Sequence, residues 1–182
     1  REEALPYLVR HWARMDLEAA RSWVDTQVSA DDVVGKDLQA LIAAAHVQDG
    51  AMPDNLAGPL NAASAETREQ ILKDLYEAAL ILPGDPTERV QQLLALTPME
   101  DQMRYVRTFV GSWAFSDPLP ANEWALAFED REHAVELLSH SIRQFDREEP
   151  QRAAVWFNER SAEEKALIEQ AREIGRQRRG PP

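Results

Sequence analysis

An all-α fold built from tandem antiparallel helix pairs is what this sequence predicts, and three observations predict it. Apolar residues recur at helical spacing along almost the whole chain. No stretch alternates apolar and polar residues between turn dipeptides, so strands have no signal. One arrangement of an aromatic, an acidic residue, an alanine and a tryptophan returns at a fixed interval.

The elements follow from start signals and stripes. Helices are expected over 3–14 and 16–28, divided at Asp16, which precedes Leu17-Glu18 as an acidic N-cap facing the positive helix end. A helix over 31–48 follows the box-like Ser29-Ala30-Asp31-Asp32. The stretch 49–63 carries Gly50, Pro53, Gly58 and Pro59, and reads as a loop with one short helix at 54–62. The helix over 65–82 carries the stripe Leu72, Leu75, Tyr76, Ala79 and Leu82, and Asp85-Pro86 opens the next, over 85–96. Thr97-Pro98-Met99-Glu100 has the form of a capping box with Pro at the first helical position. It opens a helix over 98–115 with Met103, Val106, Val110 and Trp113 on one side. Asp117-Pro118 opens 118–128. The helix over 130–146 buries Ala134, Leu138, Ile142 and Phe145. A helix over 149–159 follows, and the box Ser161-Ala162-Glu163-Glu164 starts the last, over 161–178. Residues 1–179 form a single helical-repeat domain in this reading, and 180–182 (Gly-Pro-Pro) a frayed tail.

The repeat has a register. Trp12, Asp16 and Trp23 match Trp113, Asp117 and Trp124, and again Phe145, Glu149 and Trp156. In each copy the aromatic stands four residues before the acid and the Trp seven after it. Ala20, Ala121 and Ala153 hold the slot four after the acid, where a small side chain lets two backbones approach. Asp85 supplies a further cap, and Asp49 or Asp54 another, so the unit repeats about every 32–36 residues. The tryptophans are therefore expected to be core at each helical hairpin.

In unit length and in the helix–turn–helix unit, this pattern resembles tetratricopeptide-like helical repeat proteins. The matching residues are Trp-Ala-x-x-Asp-Pro with a following Ala and Trp, seen best from Trp113 to Trp124; the tetratricopeptide consensus Trp-x-x-Leu-Gly-x-x-Tyr is absent. The resemblance implies a right-handed α-solenoid of about five antiparallel helix pairs with a C-terminal capping helix, and a role in holding another protein.

Composition bounds the function. The chain has 182 residues, enough for one core that buries roughly 70% of its unfolded surface. Its 32 acids against 20 bases give a net charge of −12, which disfavours nucleic acid as a partner. There is no cysteine, so disulfides, thiol nucleophiles and Cys-ligated zinc are excluded. Glycine-rich phosphate loops and nucleophile elbows are missing. The lack of cysteine and the start at Arg1 point to an extracytoplasmic setting, a bacterial periplasm, after loss of a leader or anchor.

Two clusters stand out. His133, Glu136 and His140 lie on one face of helix 130–146 at i, i+3 and i+7, with Arg143 one turn on. The two histidines are about 10 Å apart along the helix axis, too far for one ion, so a polar face is expected and no metal. His11 and His46 each sit near a helix end, where the dipole favours a charged imidazole. The run Arg172, Arg176, Arg178 and Arg179 is the one basic cluster of an acidic chain. The expected partner contacts are therefore His133, Glu136, His140, Arg143, Arg176, Arg178 and Arg179, with no catalytic residue and no cofactor. The expected function is a non-enzymatic interaction module, a scaffold, adaptor or chaperone-like domain, with homo-oligomerisation possible through the basic run. The alternative is a helical accessory or catalytic domain of an enzyme.

Overall fold

The computed structural model describes residues 5–29, 32–45, 56–81 and 85–178. Among them the chain is all-α, without a strand, and the helices number eleven, each within about three residues of its expected place. They are α1 (Leu5–Met15), α2 (Leu17–Gln27), α3 (Val33–Ala45), α4 (Ala57–Ala62), α5 (Ala65–Ile81), α6 (Pro86–Leu96), α7 (Met99–Ser116), α8 (Pro118–Leu126), α9 (Arg131–Glu148), α10 (Pro150–Asn158) and α11 (Ala162–Gln177). The chain divides into two compact units, Arg1–Pro98 and Met99–Pro182.

The register seen in the sequence is a register of hydrogen bonds. One residue separates α1 from α2, α7 from α8 and α9 from α10: Asp16, Asp117 and Glu149. The backbone N–H of each donates to the carbonyl of the aromatic four residues earlier: Asp16 to Trp12 at 2.8 Å, Asp117 to Trp113 at 2.9 Å, Glu149 to Phe145 at 3.0 Å. The carbonyl of each then accepts from the alanine four residues on, at 3.1, 3.4 and 2.9 Å. A single residue thus ends one helix and starts the next. Its φ is −152° in Asp16, −148° in Asp117 and −131° in Glu149, extended values that break the helix. The helices meet closely where Ala20, Ala121 and Ala153 are at most 1% exposed.

Ring packing follows the register in the first and last copies. Trp12 meets Trp23 with centroids 6.1 Å apart, and Phe145 meets Trp156 at 5.7 Å. In the middle copy Trp113 packs on Phe109 of its own helix at 5.6 Å, and Trp124 on Phe128 beyond its helix end at 5.4 Å.

Capping chemistry differs among the hinges. Asp16 accepts from the Ala19 N–H and Asp85 from the Thr87 N–H, whereas the Glu149 carboxylate takes Arg152 instead. At the start of α3, Asp32 accepts from the Gly35 N–H at 2.6 Å. Ser161 and Glu164 form the full reciprocal box expected of them. Those bonds stabilise the Glu164 carboxylate and hold its pKa below the ordinary value. Thr97 is buried and ends α6, its hydroxyl donating to the Leu93 carbonyl at 2.7 Å beside the Tyr76 hydroxyl. Expected caps at Asp49 or Asp54, and the tail 180–182, lie outside the described residues.

In the first unit α3 packs against α1, α2, α4 and α5, and α5 packs on α6. Its core includes Val9, Leu38, Leu60, Leu72, Leu75 and Val90. Asp37 is buried there, accepting from both the backbone N–H and the hydroxyl of Ser64 at 2.6 and 2.8 Å, which fixes the start of α5 to α3. In the second unit α9 is the central helix, packed against α7, α8, α10 and α11.

Among the described residues of the second unit, the side-chain amide of Asn122 is fully buried. Asn122 of α8 donates to the Pro118 carbonyl at 2.7 Å and accepts from the Ser141 hydroxyl of α9 at 2.9 Å. Replacing Asn122 by Ala is expected to cost about 1–3 kcal/mol, because it leaves a void and leaves the Ser141 hydroxyl only its longer bonds to the Leu137 and Leu138 carbonyls. Chemical denaturation of the variant checks this.

Candidate functional site

The two clusters that the sequence keeps apart, on α9 and at the C-terminus, share one surface in the fold. The solvent-facing stripe of α9 carries His133, Glu136, His140, Arg143 and Arg147, spaced by three and four residues. Behind it Ala134, Leu138, Ile142 and Phe145 are buried, as their periodicity requires. Neighbouring helices reach across to the stripe. From α7, Arg107 donates to Glu136 at 2.8 Å. Arg178, just past α11, meets the His140 Nε2 at 2.9 Å. His133 stands at the start of α9, its Nδ1 3.4 Å from the Asp130 carboxylate and its ring edge-on to Phe128.

Arg143 and Arg176 line one groove between α9 and α11, with a volume of about 500 Å³. Arg147 and Arg172 line it too, as do the carboxylates of Asp146 and Glu169. Arg172 bridges the two helices, donating to Asp146 at 2.9 and 2.7 Å and to Glu169 at 3.0 Å. Burial works against its charge, but the bonds to Asp146 and Glu169 outweigh burial and raise its pKa further above its already high ordinary value. Arg179 and His46 lie outside the described residues, and His11 is exposed on α1.

Sequence reasoning found Arg143, Arg172 and Arg176 but not that they converge. It also missed Arg107, Asp146, Arg147 and Glu169. The stripe of α9 continued to Arg147, and the spacing of Glu169, Arg172 and Arg176 on α11, were the available signals.

This setting also shifts His140. Partial burial, Arg178 and Arg107 lower its pKa below 6.5, against a weaker opposite pull from Glu136. Since Arg178 is the donor, the facing imidazole nitrogen accepts, and the ring is neutral. The unfolded chain then takes up a proton at this residue more readily than the folded one. The neutral-His140 contribution is complete above pH 6.5 and is lost as pH falls through that value towards the lower folded pKa. His140→Gln is expected to flatten the fall of unfolding free energy between about pH 7.5 and 5.5, measured by urea melts. An unchanged slope would remove His140 as its source.

A second groove, of about 540 Å³, lies in the first unit beside Tyr7, Arg10, Ser64 and Lys73. Its buried acid, Asp37, is held by both donors of Ser64. A further small cleft is lined by Arg10 and Asp74, which form an ion pair with each other. Among the described residues no three His, Asp or Glu side chains gather closely enough for a metal ion, and no helix is long and apolar enough to cross a membrane. Comparison with protein-family models, with curated proteins and with solved structures found no match to this chain.

Proposed function

We propose that this chain is a non-enzymatic interaction module, a helical repeat domain of tetratricopeptide-like type that binds a protein or peptide. The reading has its helix pairs stacked as a right-handed solenoid with α11 as the terminal cap. What carries it is the hinge. The same one-residue hydrogen-bonded turn joins α1 to α2, α7 to α8 and α9 to α10, with a buried alanine at the same place in each. A chain that repeats one supersecondary unit this faithfully places side chains of successive helices in register on a common face. The contacts of α9 with both α7 and α11 support that arrangement in the second unit. The stripe from His133 to Arg147 is then the middle row of such a face.

The test is affinity capture with the chain as bait in native extract of its source cells. Recovery of the same protein in replicate captures is the expected result. Recovery of no reproducible protein, together with turnover of a small-molecule substrate by the purified chain, would replace the module with the enzyme reading.

A further inference from the structure

Deepening the module reading, and resting on it, we propose that the groove between α9 and α11 receives an acidic segment of the partner protein, whose carboxylates bind Arg143 and Arg176. Four guanidinium groups line the groove against two carboxylates. Both carboxylates are already spent on one of the four, since Arg172 takes Asp146 and Glu169. Arg147 leans along its own helix to Glu148 and Gln144, and Arg176 to Glu173, so each has an intrahelical partner that an incoming acid can replace. Arg143 is exposed and has no ion-pair or hydrogen-bond partner among the described residues. Arg143 is therefore the guanidinium of the lining left without a carboxylate, and Arg147 and Arg176 are held by exposed intrahelical pairs, on a chain of net charge −12.

That contrast selects the ligand. A long polyanion such as nucleic acid meets the acidic remainder of the molecule, whereas a short run of Asp or Glu feels mainly the groove within a screening length of about 8 Å at physiological salt. Guanidinium forks match carboxylates in a two-pronged geometry that an ammonium cannot reproduce. Arg172, locked between the two helices by its ion pairs, holds the groove open and sets the spacing of Arg143 from Arg176. Its role is positioning. The volume of about 500 Å³ lies in the range of ligand-binding clefts.

The experiment is fluorescence anisotropy with a fluorescein-labelled ten-residue peptide of alternating Glu and Ser, on the whole chain. The glutamate peptide is expected to bind, and to weaken as salt rises from about 50 to about 300 mM. The matched peptide of Gln and Ser is expected to stay unbound. R143E and R176E together are expected to weaken the glutamate peptide by about tenfold or more, with helix content by circular dichroism unchanged. R143K is expected to retain only part of the affinity, which separates fork geometry from charge alone. R152E, on α10 outside the groove, serves as the control with unchanged binding. Equal binding of the Gln peptide, binding that survives the double reversal, or tighter binding of an oligothymidylate would each overturn the proposal. Partner capture from extract that survives R143E/R176E would also overturn it while leaving the module reading intact; loss of capture in the reversed chain, with capture by the parent, supports both.

Discussion

Replacing Trp156 by Ala is expected to destabilise the second unit by about 3–5 kcal/mol, the range for deleting a large buried aromatic. The indole is 3% exposed and serves three partners at once. Its ring packs on Phe145 of α9, which is itself fully buried. Its N–H donates to Glu123 of α8 at 2.8 Å. Arg160 lies over the ring at 5.3 Å and bonds the same Glu123 at 3.1 and 3.2 Å. Truncation removes the packing of α10 on α9 and leaves Glu123 without its indole donor. Trp156→Phe separates the two effects: it keeps a ring and loses the hydrogen bond, and should cost closer to about 1 kcal/mol. Denaturant titration checks both, and equal costs for the two variants would contradict the ring-packing account.

The second large effect is expected at Gly35. A Cβ built there would overlap the Ser29 carbonyl oxygen and stand 2.8 Å from its carbon, both of them backbone atoms. No rotamer change relieves such a contact, so the first turn of α3 must move away from the end of α2. Moving it strains the bond by which Asp32 caps the Gly35 N–H. Gly35→Ala is therefore expected to cost about 3 kcal/mol or more, although alanine is intrinsically the better helix former. A neutral or stabilising result would show that the close approach of Ser29 to α3 does not limit the fold. Gly58 provides the comparison, since a Cβ there meets nothing within 4 Å. Gly58→Ala should be neutral or mildly stabilising.

These two sites also show what the sequence makes legible. The Trp156 environment was readable as packing, because a Trp eleven residues after an aromatic, with an acid and an alanine between, encodes a tight helical hairpin. The helix set was readable for the same reason: stripes at helical spacing are broken by Asp, Asp-Pro and Ser-x-x-Glu starts that local chemistry alone dictates. Gly35 was not readable. Its necessity comes from how near α2 and α3 approach, a distance that no local pattern encodes. The helix α3 starts at Val33, two residues later than expected, because boundaries depend on tertiary contacts as much as on propensity. Phe109 and Phe128 drew the indoles of the middle copy away from the simple register for a like reason.

The surface residues divide along the same line. Helical periodicity was enough to place His133, Glu136, His140 and Arg143 on one face of α9. It could not show that α11 would lie beside that face and bring Arg172 and Arg176 to Arg143, nor that Arg107 of α7 would reach Glu136. Side chains from three helices make the surface, and only packing joins them.

The most direct test of the account is site-specific photo-crosslinking in native extract, with a photoreactive phenylalanine at Arg143 on the α9 stripe and, separately, at Val155 of α10, an exposed residue outside the groove. The account predicts one dominant protein adduct from position 143 and none from position 155. Equal adducts from both positions, or none from position 143 while the parent chain still captures its partner, would contradict it.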